Sequence, residues 1–171
     1  MNNTYIHFTE FNLETIENIL KNGIMSKYTL EKNGIYKNVG IGSNGKYYIS
    51  LTKANNSNGI FKLLKNNPNF IGFEIMSNTT IKAKKSNCFL FINTKLPIRC
   101  SIYDDEWQTM DTILPNDFVS LYYPLDFIYT KYNNDLEYLK IISKKIADIN
   151  KLMQQHNINI PINTNEKVYL K

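Results

Sequence analysis

The stretch Thr4–Ile24, TYIHFTEFNLETIENILKNGI, decides how the chain is read. Tyr5, Ile6 and Phe8 surround His7 with residues that fit a pleated, half-buried surface, so a short strand ending at His7 is expected. After a turn, Asn12 suits a helix N-cap, and Phe11 just before it is placed to staple onto Ile16. Leu13, Ile16, Ile19 and Leu20 recur at helical spacing, Glu14 and Glu17 favour the N-terminal half, and Gly23 supplies a left-handed stop. A histidine held where a strand hands over to a helix N-terminus is well placed for a nucleotide.

Outward from there, Met25–Lys46 has no clear period and reads as a glycine-punctuated loop with a short helix around Tyr28–Lys32. Tyr47–Thr52, YYISLT, is a strand, and Ser57 or Asn58 is a cap for a short helix through Leu64, ended by Pro68. Phe70–Met76, Thr80–Lys84, Cys88–Asn93, Ile98–Tyr103, Glu106–Met110 and Phe118–Tyr123 are six further strands separated by turn residues, with Leu114–Asn116 one of the turns. Asn134 caps a long helix to about Gln155, whose stripe is Leu139, Ile142, Ile146, Ile149 and Met153; His156 complements its dipole. The fold class is α+β: a mixed or antiparallel central sheet, an early capped helix and a long C-terminal one.

The chain has 171 residues with 43% hydrophobic and 13% aromatic content, enough for one domain with its own core, 1–171, onto which the helix of 134–157 packs. No segment approaches membrane-spanning length, so a cytoplasmic protein with no membrane role is the default. Cys88 and Cys100 sit in apolar surroundings and read as buried thiols; two histidines and two cysteines without clustered spacing give no metal site. The net charge of +5 is uneven. From Asn18 to Cys100 only Glu31 and Glu74 oppose a run of lysines plus Arg99, while Ser101–Asp126 is acidic throughout. The basic middle suits an anionic ligand, and the acidic block argues against a protein that simply coats nucleic acid.

Polar groups inside strand-like segments mark three places: His7; Tyr47 and Tyr48 with Ser50 and Thr52; and Asp104-Asp105-Glu106-Trp107-Gln108. Alternation puts Tyr48, Ser50 and Thr52 on one strand face, and Glu106, Gln108 and Met110 on another. His-Phe-Thr before a helix ending Asn-Gly-Ile, then Tyr-Ile-Ser-Leu-Thr, then a late glutamate strand followed by Ile-Leu-Pro-x-x-Phe-Val, resembles the ADP-ribosyltransferase fold over about Tyr5–Tyr123. The likeness is closer to its histidine–tyrosine–glutamate branch and to small bacterial and phage-associated toxins and abortive-infection proteins on that scaffold.

That resemblance implies NAD as substrate, with an acceptor that is a protein, a nucleic acid or a small molecule, and a neutralising partner protein as a possible companion. It implies that His7 bonds the nicotinamide-side ribose, with Thr9 beside it. Tyr48, or Tyr47 in the shifted register, stacks on the nicotinamide. Ser50 and Thr52 support the pocket, and Glu106 holds a ribose hydroxyl and stabilises the positive charge. The chemistry wants these types: a glycosidic C–N bond breaks through an oxocarbenium-like ribose, which a nearby carboxylate stabilises by several kcal/mol. An aromatic face holds a flat cationic ring. Helix N-terminus and lysines would suit the pyrophosphate. Many relatives place the decisive glutamate second in an acid-x-Glu pair, whereas here Glu106 precedes Gln108. If Gln108 holds the catalytic position, the chain binds NAD and transfers poorly. Two alternatives are a non-catalytic nucleotide- or protein-binding module on this scaffold and, with only Arg99 for phosphate binding, the less fitting RNA 2′-phosphotransferase.

Overall fold

The computed structural model describes residues 4–35, 48–67, 69–76, 81–82, 90–91, 97–98, 106–123 and 136–163. Strand β1 (Thr4–Glu10) leads into helix α1 (Leu13–Asn22) and the short α2 (Lys27–Lys32). Then come β2 (Ile49–Lys53), α3 (Ser57–Asn66), β3 (Phe70–Met76), β4 (Ile81–Lys82), β5 (Leu90–Phe91) and β6 (Pro97–Ile98). The chain closes with β7 (Glu106–Thr109), a 3₁₀ turn at Pro115–Asp117, β8 (Phe118–Tyr122), α4 (Leu136–Gln155) and β9 (Ile162–Asn163). Seven strands form one sheet in the order β4-β7-β2-β1-β3-β8-β9, antiparallel except for the parallel β8–β9 pair, while β5 and β6 pair separately.

Helices cover both faces. On one, Ile16 and Leu20 of α1 and Ile142, Ile149 and Met153 of α4 pack on Tyr5, Ile49, Leu51, Phe73 and Leu121. On the other, Ile60 and Leu64 of α3 pack on Ile6 and Tyr122. The α4 stripe is thus the one its spacing predicts. α1 is capped as expected, with the Asn12 side chain accepting from Thr15 N at 3.0 Å. Gly23 ends it at φ +86°, and Ile24 and Ile113 then exchange two backbone hydrogen bonds of 2.8 and 2.9 Å. A Cβ on Gly23 would collide with the Ile113 carbonyl, so close approach as well as conformation demands glycine there.

Three expectations are corrected. β1 continues past His7 to Glu10, because β3 runs beside it for seven residues down to the Glu10–Phe70 pair. The α3 cap is Asn56, whose side chain accepts from Gly59 N at 3.0 Å, one residue before the expected Ser57. His156 does more than face a helix dipole: its Nε2 lies 2.7 Å from Glu17 Oε1, which also accepts from Lys21 Nζ at 2.6 Å, tying the end of α4 to α1. β9, too short to show a period, was not expected at all. Cys88, Cys100, Asp104, Asp105 and Asn134 lie outside the described residues.

Candidate functional site

β2 pairs with β1 at only two positions, Tyr5–Lys53 and Ile6–Thr52, although β1 pairs with β3 along its whole length and β2 with β7 over four residues. Beyond Ile6 the two central strands therefore part. The Ser50 carbonyl, left without a backbone donor from β1, accepts instead from the His7 ring, Nδ1 to O at 3.0 Å. A carbonyl cannot donate, so Nδ1 carries the hydrogen and Nε2 of the neutral ring keeps its lone pair. Burial favours the neutral ring and holds the His7 pKa below its ordinary 6.5, against the smaller opposing effect of the Ser50 bond.

The same serine serves the carboxylate. Ser50 Oγ donates a hydrogen bond to Glu106 Oε1, and Gln108 Nε2 donates to that oxygen at 3.4 Å. Register explains the grouping: Ser50 lies opposite Gln108, and Thr52 lies opposite Glu106, so all four share a sheet face. Glu106 and Gln108 are buried at 7% and 3% exposure, whereas Ser50 is exposed, so the carboxylate sits just beneath solvent. Burial raises the Glu106 pKa, and the bonds from Ser50 and Gln108 offset this in part. Its other oxygen, Oε2, is buried and has no hydrogen-bond partner among the described residues. Such an oxygen is costly to leave bare.

Beside His7, a cleft of about 280 Å³ runs between β1, α1 and α2. His7, Thr9, Asn12, Thr15, Asn18 and Asn22 give it a polar wall, and Ile24, Met25 and Leu30 an apolar one. Glu10 is its only described acidic residue, and no described lysine or arginine lines it. The Asn12 side chain occupies the amide of Thr15, so one expected phosphate donor of the helix N-terminus is already engaged.

The residues singled out in the sequence thus fall into three placements. His7 and Thr9 line the cleft, and Ser50, Glu106, Gln108 and the half-buried Thr52 cluster across the parted strands from them. Tyr48 is buried just before β2, which begins at Ile49 and not at Tyr47 as expected; it is 5% exposed, and neither it nor Glu106 belongs to the described cleft lining. Tyr47 lies outside the described residues. The asparagines of α1 were missed, though Asn18 and Asn22 recur four residues apart on a helix whose other stripe is apolar, which was the available signal.

No protein-family model and no curated protein matches the chain. Among solved structures it is similar to Thermosipho africanus DarTG in complex with ADP-ribose, with a TM-score of 0.51 and 12% identity over 99% of this chain and 51% of that one. It is also similar to EcPltA, with a TM-score of 0.43 and 10% identity over 74% of this chain and 80% of that one. The chain spans about half the length of the DarTG chain it matches. At such identity the likeness is one of architecture: the α+β core, with its mixed sheet and C-terminal helix, has an ADP-ribosyltransferase-like fold.

Proposed function

We propose that this protein is an NAD-consuming mono-ADP-ribosyltransferase of the histidine–tyrosine–glutamate kind, acting on a protein, a nucleic acid or a small molecule. The observation that carries the reading is the Ser50 relay: its carbonyl orients a neutral imidazole and its hydroxyl holds a buried carboxylate on either side of a parted strand pair. His7 Nε2 would accept from a ribose hydroxyl, and Glu106 Oε2 would accept from another. Tyr48 is the ring assigned to the nicotinamide face, with Tyr47 its neighbour in the shifted register. Thr9 lines the cleft that would take the rest of the dinucleotide, and Thr52 flanks Glu106. That DarTG is bound to ADP-ribose, the group such a reaction transfers, supports the same ligand class for this scaffold.

In the reaction the C1′–N bond of NAD breaks and neutral nicotinamide leaves with the bonding pair. The acceptor heteroatom then bonds C1′ and gives its proton to the Glu106 carboxylate. The negative charge of Glu106 stabilises the cationic ribose between those events, and its raised pKa makes it the better base. The test is release of nicotinamide from NAD by the purified protein, with transfer of labelled ADP-ribose followed in a lysate. Turnover that is lost in His7→Ala and Glu106→Gln variants of unchanged circular dichroism is the expected result. ADP-ribose binding without any release would instead identify a binding module on this scaffold, for which the absence of Glu106 from the described cleft lining speaks.

A further inference from the structure

We propose that Gln108 is a positioning residue, which with Ser50 places both donors on Oε1 of Glu106 and so assigns Oε2 as the oxygen that meets the ligand. The inference rests on the reading of Glu106 given above. A strand position buried to 3% exposure between Ile81 of β4 and Ser50 of β2 would ordinarily hold an apolar side chain. An amide there must find partners or carry a desolvation penalty. Gln108 is two residues from Glu106 on one strand and directly opposite Ser50, so its amide reaches along the strand to the carboxylate that Ser50 reaches from across it. Both donors converge on one oxygen and none of the described residues donates to the other, which fixes the rotation of the carboxyl plane. Carbonyl and amide ends of Gln108 are told apart by this contact, since the reversed amide would set its oxygen against the carboxylate. Glutamine after the glutamate is therefore a holder of the acid and not a substitute for it.

The test uses the whole chain with ¹³C-labelled glutamate carboxyls, the Glu106 signal being assigned by its loss in Glu106→Gln. Gln108→Met removes the donor at nearly constant volume, and Gln108→Glu replaces it with a like charge. The Glu106 titration should move to higher pH in Gln108→Met and further in Gln108→Glu. Nicotinamide release by Gln108→Met should fall about tenfold in kcat, with KM for NAD changed less than about twofold, and its acid limb should follow the titration. An unmoved Glu106 titration in both variants, with only a lower melting temperature, would overturn the proposal. The titration needs no turnover, so the two readings separate. A shifted titration in a protein that releases no nicotinamide keeps the carboxyl geometry and removes the transferase; turnover with an unmoved titration does the reverse.

Discussion

Glu106 holds its charge against a desolvation cost that Ser50 and Gln108 only partly offset, so its folded pKa lies above the ordinary 4.5. The native state then binds this proton more tightly than the unfolded chain does. The stability it contributes is fully present below the unfolded value and is lost as pH rises through the folded one. At neutral pH, Glu106→Gln should therefore melt at the same temperature as the parent or higher, while nicotinamide release falls at least about 100-fold. Calorimetry beside the release assay checks both halves, and a melting temperature lower by about 5 °C would contradict the first. His7 has the opposite sign. Its folded pKa is depressed by burial, so its contribution is present above 6.5 and is lost as pH falls through the folded value. The proposed reaction needs His7 neutral and Glu106 ionised, so the acid limb of kcat/KM should contain two ionisations. Each should coincide with the titration of its own side chain followed by NMR in the parent protein, and a pH–rate profile with a single ionisation would remove one of the two residues from the account.

Among the elements, α1 is fastened by two devices of different kinds, one at its C-terminus and one at mid-helix. Its C-terminus depends on Gly23, where φ is +86° and the Ile113 carbonyl leaves no room for a side chain. Gly23→Ala should cost about 2–3 kcal/mol in denaturant unfolding, since it adds strain in the left-handed region to a backbone collision. A change under about 0.5 kcal/mol would show that the Ile24–Ile113 bridge is not tight in solution. The second device is Glu17, shared by Lys21 and His156. The Lys21 bond first, and then the His156 bond, hold its pKa below the ordinary 4.5, so its contribution is present above that value and is lost as pH falls through the folded one. Both partners are solvated and salt screens them, so the pair registers the α1–α4 contact more than it enforces it. Glu17→Gln should flatten the fall of melting temperature below about pH 5, and identical slopes in both proteins would remove Glu17 from the account.

For the molecule as a whole, the sheet is held between α3 on one face and the α1/α4 pair on the other. Ile149, fully buried on α4, and Ile141, half exposed on its outer side, test that arrangement. Ile149→Ala should cost about 2–5 kcal/mol, whereas Ile141→Ala should stay within about 0.5 kcal/mol. Equal losses in equilibrium unfolding would mean that α4 docks differently. At this scale the sequence was most legible where the pattern was longest: the α4 stripe, β3 and the β7–β8 region fall where their spacing puts them, and α1 turns Ile16, Ile19 and Leu20 inward while Leu13 stays exposed. The three strands expected at 80–103 show their described parts as the two-residue pairs of β4, β5 and β6.

What the sequence determined by itself is the set of parts: α+β content, a capped α1, a histidine, a tyrosine and a serine beside apolar neighbours, and a glutamate on a late strand. Such features follow from local periodicity and side-chain chemistry, which are written residue by residue. Which parts meet was decided only by pairing between strands distant in the chain. Ser50 and Glu106 are 56 positions apart, yet the β2–β7 register makes them partners. Likewise, the end of the β1–β2 ladder at Ile6 leaves the Ser50 carbonyl to the ring of His7, which stays paired with β3 through its backbone. Register and strand divergence arise from the balance of backbone hydrogen bonds across the whole sheet, and no local pattern encodes where a ladder stops.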